Sequence, residues 1–280
     1  MNRFAVGVIV GLFSVSAMAA LPDVSGTLLI HLDAADAVTN GDGKVEWMAD
    51  GNYGGLFTVP FGNSPTIVDD ALNGLPAVYF DGNAGNVLRG PTPTSHTQIS
   101  GAQYTFFFVL VDTASTMGLF DSAHNRSAPL RFLTPDRLYM HDDAAFPISL
   151  PEDTSNGVLF GFTHFGVAGN DDNWNAGTGN SRTWYSYING QQDQYLFQKG
   201  QIVAWFEPQF GAINGGNDGG GAQSFFTGGI AEVIIFDGVL SDDDRKAVEA
   251  YLMGKYGIPE PATMSLLALG GLALLRRRVR

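Results

Sequence analysis

The sequence predicts a mainly β protein of two packed antiparallel sheets, with one helix near its C-terminal end. Three observations carry that prediction. Short apolar runs alternate with clusters of Gly, Asn, Asp and Pro, the pattern of strands joined by turns. Turn formers are abundant: 36 of the 280 residues are Gly, and only six of the 28 acidic residues are Glu. Helical periodicity is convincing in one segment, residues 241–257, outside the termini.

Taken in order, Thr27 to Leu32 reads as the first strand and Pro76 to Phe80 as another. Gln103 to Val111 (QYTFFFVLV) is apolar at both alternating sets of positions, which suits a strand in the middle of a two-layer core. Val158 to Phe165 repeats the pattern with more aromatics. Arg182 to Ile188 alternates and ends at Asn189-Gly190, a strong signal for a tight hairpin. Ile230 to Phe236 is a further β-branched run. Ser241 is placed to cap the helix, with Asp244 three residues on as a capping-box variant. Asp242 and Asp243 suit its positive end. Ala247, Val248, Tyr251 and Leu252 form one apolar stripe expected to pack on the sheets, and Lys255 and Gly257 mark the stop.

Composition bounds the class. A body of about 240 residues suits a single β-sandwich and buries most of its unfolded surface. There are no cysteines, so stability rests on the core rather than on disulfides. The chain has 15 basic and 28 acidic residues. Without Arg3, the four terminal arginines and Glu260, 10 basic and 27 acidic residues remain, and the body sits near −17. Such a field repels nucleic acid and anionic lipid and favours cations, so nucleic acid is excluded as a partner.

Both termini are set apart from this body. Arg3 followed by the apolar stretch Phe4 to Val15 and by Ala17-Met18-Ala19 has the layout of a signal peptide, with signal peptidase expected to cut after Ala19. At the other end, Pro259-Glu260-Pro261 precedes the uncharged stretch Ala262 to Leu275, and Arg276, Arg277, Arg278 and Arg280 close the chain. As a helix those fourteen residues extend about 21 Å, short of a hydrocarbon core of about 30 Å. Positive flanks hold the arginines on the cytoplasmic side. Triplet, short apolar segment and arginine cluster together resemble the PEP-CTERM sorting signal. That resemblance implies an exported bacterial protein and an exosortase-type enzyme that recognises the tail. The expected division is a signal peptide at 1–19, one body at 20–257 and a sorting signal at 258–280, with a short membrane segment at 262–275.

A second resemblance covers most of the body. Leu32-Asp33-Ala34-Ala35-Asp36 with Trp47 and Asp50-Gly51-Asn52 fits its opening. Asn73-Gly74-Leu75-Pro76-Ala77-Val78, Phe80-Asp81-Gly82 and Tyr187-Ile188-Asn189-Gly190 fit its middle. The run from Phe226 to Asp237, then Leu240-Ser241-Asp242 and the helix to Gly257, fits its close. In that order these pieces resemble LamG-like, concanavalin A-like domains. The likeness implies a jelly-roll sandwich of two antiparallel sheets with one helix packed on it. It also implies carbohydrate binding on the curved sheet or its rim, in some members with calcium.

Catalysis finds little support in the residues. Retaining glycoside hydrolysis needs two carboxylates about 5 to 5.5 Å apart, one holding its proton. Neighbours two apart on a strand share a face, and laminarinase-like members carry a Glu-x-Asp-x-x-Glu strand; this chain has none. Glu232 lacks an acidic partner two residues away and reads as structural, paired with the terminal helix. Glu152-Asp153 are adjacent, and Glu46 and Glu207 isolated. Gly-x-Ser-x-Gly is absent, and the five histidines lack metal-ligand spacing.

Binding is better served. Asn170-Asp171-Asp172-Asn173 is the densest set of hard oxygen donors and is the candidate calcium site, although the fold requires no cofactor; the alternative is a solvated turn. Aromatic faces stack on sugar rings, and Trp174, Trp184 and Tyr185 are the candidates, Trp174 because it lies in a polar stretch. Trp184 also reads as a core residue. The leading expectation is a non-catalytic exported surface protein that binds a glycan such as an exopolysaccharide. The alternatives are a self-associating matrix component and a glycoside hydrolase with an unrecognised carboxylate pair.

Overall fold

The computed structural model describes residues 20–50, 55–60, 62–83, 85–90, 103–114, 117–122, 130–134, 137–140, 144–148, 150–167, 181–199, 208–214 and 222–260. Its first strands are β1 (Thr27–Asp33), β2 (Ala37–Thr39), β3 (Val45–Asp50), β4 (Gly55–Thr58), β5 (Thr66–Leu72), β6 (Leu75–Asp81) and β7 (Leu88–Arg89). Next come β8 (Gln103–Val111), β9 (Met117–Ser122), β10 (Leu130–Thr134), β11 (Arg137–Met140), β12 (Ala144–Pro147) and β13 (Val158–Val167). The rest are β14 (Ser181–Ile188), β15 (Gln191–Lys199), β16 (Pro208–Phe210), β17 (Ala212–Asn214), β18 (Ala222–Phe225) and β19 (Thr227–Asp237), followed by α1 (Asp242–Tyr256). The mainly β reading holds, and each strand expected from the sequence lies within one of these elements.

Two antiparallel sheets make the body. The first runs β15-β14-β13-β8-β19-β6-β5, with β1 as a further partner of β19. β19 is long enough to hold two neighbours on one side: residues 227–230 pair with β6 and 232–237 with β1. The second sheet runs β12-β11-β10-β9-β16-β7-β4-β3-β2, and β17 and β18 form a separate pair. Between β14 and β15 the turn has Asn189 at φ 48° and Gly190 at φ 77°, the left-handed pair that an Asn-Gly hairpin supplies.

β8 explains the layering. Its even-numbered positions Tyr104, Phe106, Phe108 and Leu110 enter the cluster between the sheets, beside Phe120, Phe160, Phe162 and Phe210. Its odd positions Phe107, Val109 and Val111 face the other way, against Val248, Leu252, Met253 and Tyr256 of α1. The strand is therefore apolar on both sides because a second sheet covers one face and the helix the other. Three layers result, where the strand pattern alone suggested two.

α1 starts as its sequence dictates: Asp244 donates its N–H to Ser241 Oγ at 3.1 Å. Its carboxylate turns to Ser25 of the N-terminal segment, accepting from both the backbone N–H and the hydroxyl. The helix face is less apolar than the stripe suggested. Ala247 is exposed, and Arg245 and Glu249 are buried beside Val248, Leu252, Met253 and Tyr256. Those two charges are tolerated because they answer each other, with Arg245 Nη1 at 2.5 and 2.6 Å from the Glu249 oxygens. The guanidinium also lies 3.8 Å from the Tyr187 ring centre, a cation–π contact. Among the described residues no helix is long and apolar enough to cross a membrane.

Candidate functional site

Three features bear on chemistry: a buried ionic cluster under α1, the outer face of the second sheet, and the start of the C-terminal tail.

The cluster is centred on Glu232, on β19. Its Oε2 lies 2.6 Å from Lys255 Nζ and accepts from Tyr256 Oη at 2.9 Å, while Oε1 lies 2.8 Å from His31 Nε2. Lys255 reaches Asp33 as well. The fold forces this meeting. β1 and β6 part where they share the edge of β19, and Lys255, in the last turn of α1, enters beside Asp33 at the end of β1. Burial pushes the Glu232 carboxyl up, but the His31 hydrogen bond and the Lys255 charge outweigh it and hold its pKa below the usual range. Burial likewise lowers Lys255, and its bonds to Asp33 and Glu232 more than reverse that, so it stays protonated. Asp33 and Glu232 thus share one ammonium. A hydrolytic pair needs one carboxyl that keeps its proton and a groove for substrate. Here Glu232 is held ionised, Lys255 bridges it to Asp33 and a helix covers the pair, which is the chemistry of a clasp. The expected pairing of Glu232 with the terminal helix is found.

On the second sheet, Leu88 and Phe210 pair and both enter the core, so alternation places Arg89 and Gln209 on the opposite face. Register sets Thr58, Arg89 and Gln209 in one line across this face. Gln209 is buried, and its Oε1 accepts from Arg89 Nη2 at 2.9 Å and Nε at 3.3 Å. The carbonyl oxygen fixes the plane of the half-buried guanidinium. A planar donor group held rigidly beside an amide can read hydroxyl or carboxylate oxygens. Among the described residues the single helix lies on the far side of the other sheet. Sequence reasoning missed Arg89 and Gln209, which are 120 positions apart and carry no local signal.

Trp184 is 4% exposed and packs edge-on against Phe162, with ring centres 5.5 Å apart. It fills the core between the sheets and offers no ring face for a sugar, so its place among the stacking candidates is corrected. Tyr185 points the other way from β14, half-buried on the helix side, away from the Arg89 face. Asn170, Asp171, Asp172 and Trp174 lie outside the described residues, as do Pro261, Arg276, Arg277 and Arg278. Pro259 and Glu260 are exposed beyond the end of α1. Among the described residues no group of three or more His, Asp or Glu side chains gathers as a metal site.

Comparison with known proteins agrees with both parts of this picture. The PEP-CTERM protein-sorting motif matches residues 257–279. Motifs of this kind imply export and a C-terminal sorting step. No curated protein matches the chain. Among solved structures, a Trypanosoma rangeli sialidase is similar at 13% identity and a TM-score of 0.52, over 84% of this chain and 34% of the sialidase. The botulinum neurotoxin serotype D ligand binding domain in complex with N-acetylneuraminic acid is similar at 13% identity and a TM-score of 0.51. That match covers 81% of this chain and 51% of the toxin domain. The chain therefore spans about a third of one neighbour and half of the other. At such identities the likeness is one of fold. The body has the β-sandwich fold of these neighbours, and the tail carries a PEP-CTERM motif.

Proposed function

We propose that this chain is an exported cell-surface or matrix protein, sorted through its tail by an exosortase-type enzyme, whose sandwich binds a glycan without cleaving it. The observation that carries the reading is a sorting motif whose Pro259 and Glu260 stand exposed directly after a β-sandwich and its helix. Signal peptidase removes residues 1–19, and the 262–275 segment holds the chain at the membrane while sorting proceeds.

Glycan binding is assigned to the outer face of the second sheet, around the half-buried Arg89, with the buried Gln209 orienting it from behind. Layer order supports this. Stacked sheets lie about 10 Å apart and a packed helix adds a similar distance, so this face is about 20 Å from where the tail leaves the body. A chain tethered by its tail would point the face away from the membrane. The neurotoxin domain of the same fold is a sugar complex, though at 13% identity the particular sugar is not carried over. Trp174 and the Asn170, Asp171 and Asp172 donors would add stacking and calcium. The body's acidity favours neutral sugars or calcium-bridged acidic ones. No catalytic role is proposed, because Glu232 is held ionised by Lys255 beneath the helix and Glu249 is bonded to Arg245.

A glycan array with the mature body tests this, with and without calcium, alongside Arg89→Ala. A specific signal that Arg89→Ala removes supports the site. No signal with any glycan, in either condition, would favour a self-associating matrix component instead.

A further inference from the structure

Fold and sorting signal share residues. The motif match begins at Gly257, which is also the left-handed C-cap of α1 at φ 66°. The next residue, Ile258, is 3% exposed in the cluster between the first sheet and the helix. Its N–H donates to Met253 O at 3.0 Å, and the Gly257 N–H donates to the same carbonyl. From the β5–β6 turn, Asn73 Nδ2 donates to Lys255 O at 3.3 Å, and the Asn73 side chain lies against Gly257. Tyr256 and Lys255 are fastened to Glu232. Pro259 and Glu260 are exposed. The last anchored residue and the first residue of the triplet are therefore neighbours, with no spacer between them.

A peptide-cleaving enzyme takes several residues on each side of its target into a cleft as extended chain, pairing with backbone groups that a helix keeps for itself. Here the residues preceding the triplet are the last turn of α1. We infer that this turn is a latch on sorting: the motif becomes a substrate only when Ile258 leaves the core and residues 255–257 unwind from Glu232 and Asn73. The inference rests on the tail being a processed sorting signal. Helix ends open locally at far lower cost than the whole fold, so the closed turn sets the rate without forbidding the reaction. The partner it controls is a membrane-embedded peptidase that reads extended chain. A body still unfolded around β19 lacks Glu232 in place, cannot close the latch, and exposes its motif at once.

A covalent lock tests the latch. A Cβ at Gly257 would lie 3.5 Å from Asn73 Cβ, within the range of a disulfide, and the chain has no cysteine of its own; φ 66° strains any side chain at 257, so the reduced double variant sets the reference rate. Full-length chains carrying Asn73→Cys, Gly257→Cys or both are expressed in an exosortase-bearing host, and loss of the tail is followed by pulse–chase and mass spectrometry. The oxidised double variant is expected to keep its tail, and added reductant to restore the rate of the single variants. Asn73→Ala leaves the motif untouched and should speed tail loss about five-fold, the population change that one lost hydrogen bond brings. It decides the matter should Gly257→Cys alone impair recognition. An oxidised double variant processed at the rate of the reduced one, or Asn73→Ala without acceleration, overturns the latch. A parent chain that never loses its tail overturns the sorting reading itself, a different result.

Discussion

Lys255 Nζ lies 2.6 Å from Glu232 Oε2, joining the last turn of α1 to the middle of β19. Both side chains are almost wholly buried, at 4% and 0% exposed. Charges so placed cost much to desolvate and little more to keep once paired, so the pair is costly to halve. Lys255→Met should therefore destabilise the fold by about 3–5 kcal/mol, the usual cost of orphaning one member of a buried pair. Adding Glu232→Gln should return part of that loss. Urea unfolding of the single and double variants measures the coupling, and strictly additive losses would contradict it.

His31 gives the same clasp a pH dependence. Burial lowers its pKa, but the Glu232 hydrogen bond and charge outweigh burial and raise it above 6.5. A group raised on folding contributes fully below its unfolded value and loses that contribution as pH climbs through the folded one. Glu232, held below 4.5, works the other way and loses its contribution as pH falls through its folded value. Both are present between about 4.5 and 6.5. His31→Gln should accordingly cost more stability at pH 5.5 than at pH 8.5. Equal losses at the two pH values would remove His31 from the clasp.

Core and surface aromatics should separate cleanly. Trp184→Ala opens the core beside Phe162 and should cost about 3–5 kcal/mol, as buried aromatic truncations do. Glycan binding per folded molecule should not change. A variant of parental stability with lost binding would return Trp184 to the binding surface.

Calcium should act through the Asn170–Asn173 stretch if that stretch holds it. Millimolar calcium should then raise the Tm of the parent, by linkage, and EGTA should reverse the shift. Asp171→Asn combined with Asp172→Asn should abolish the response. A shift that survives both substitutions places calcium elsewhere.

The first sheet and the helix were legible in the sequence because burial on two faces writes long apolar runs, as in β8 and β19. The second sheet was not. β2, β4, β7 and β16 have two to four residues each, too short for any period to show. Their positions come from long-range pairing, such as Gln209 with Arg89, rather than from local pattern. Glu232 reads as structural because it lacks an acidic neighbour, and its tie to the helix follows from that reading. That His31 and Asp33 join it depends on β1 and β6 dividing the edge of β19, which no short window reveals. Trp184 carries both a core and a stacking reading because a tryptophan in an alternating strand is ambiguous until the core face of that strand is known, and the core reading is the one found.

The most direct test is the intact mass of the mature protein recovered from exosortase-bearing cells. Loss of residues 1–19 and a C-terminus within Pro259 to Pro261 is the predicted result. A chain recovered whole, from Met1 to Arg280, would contradict it.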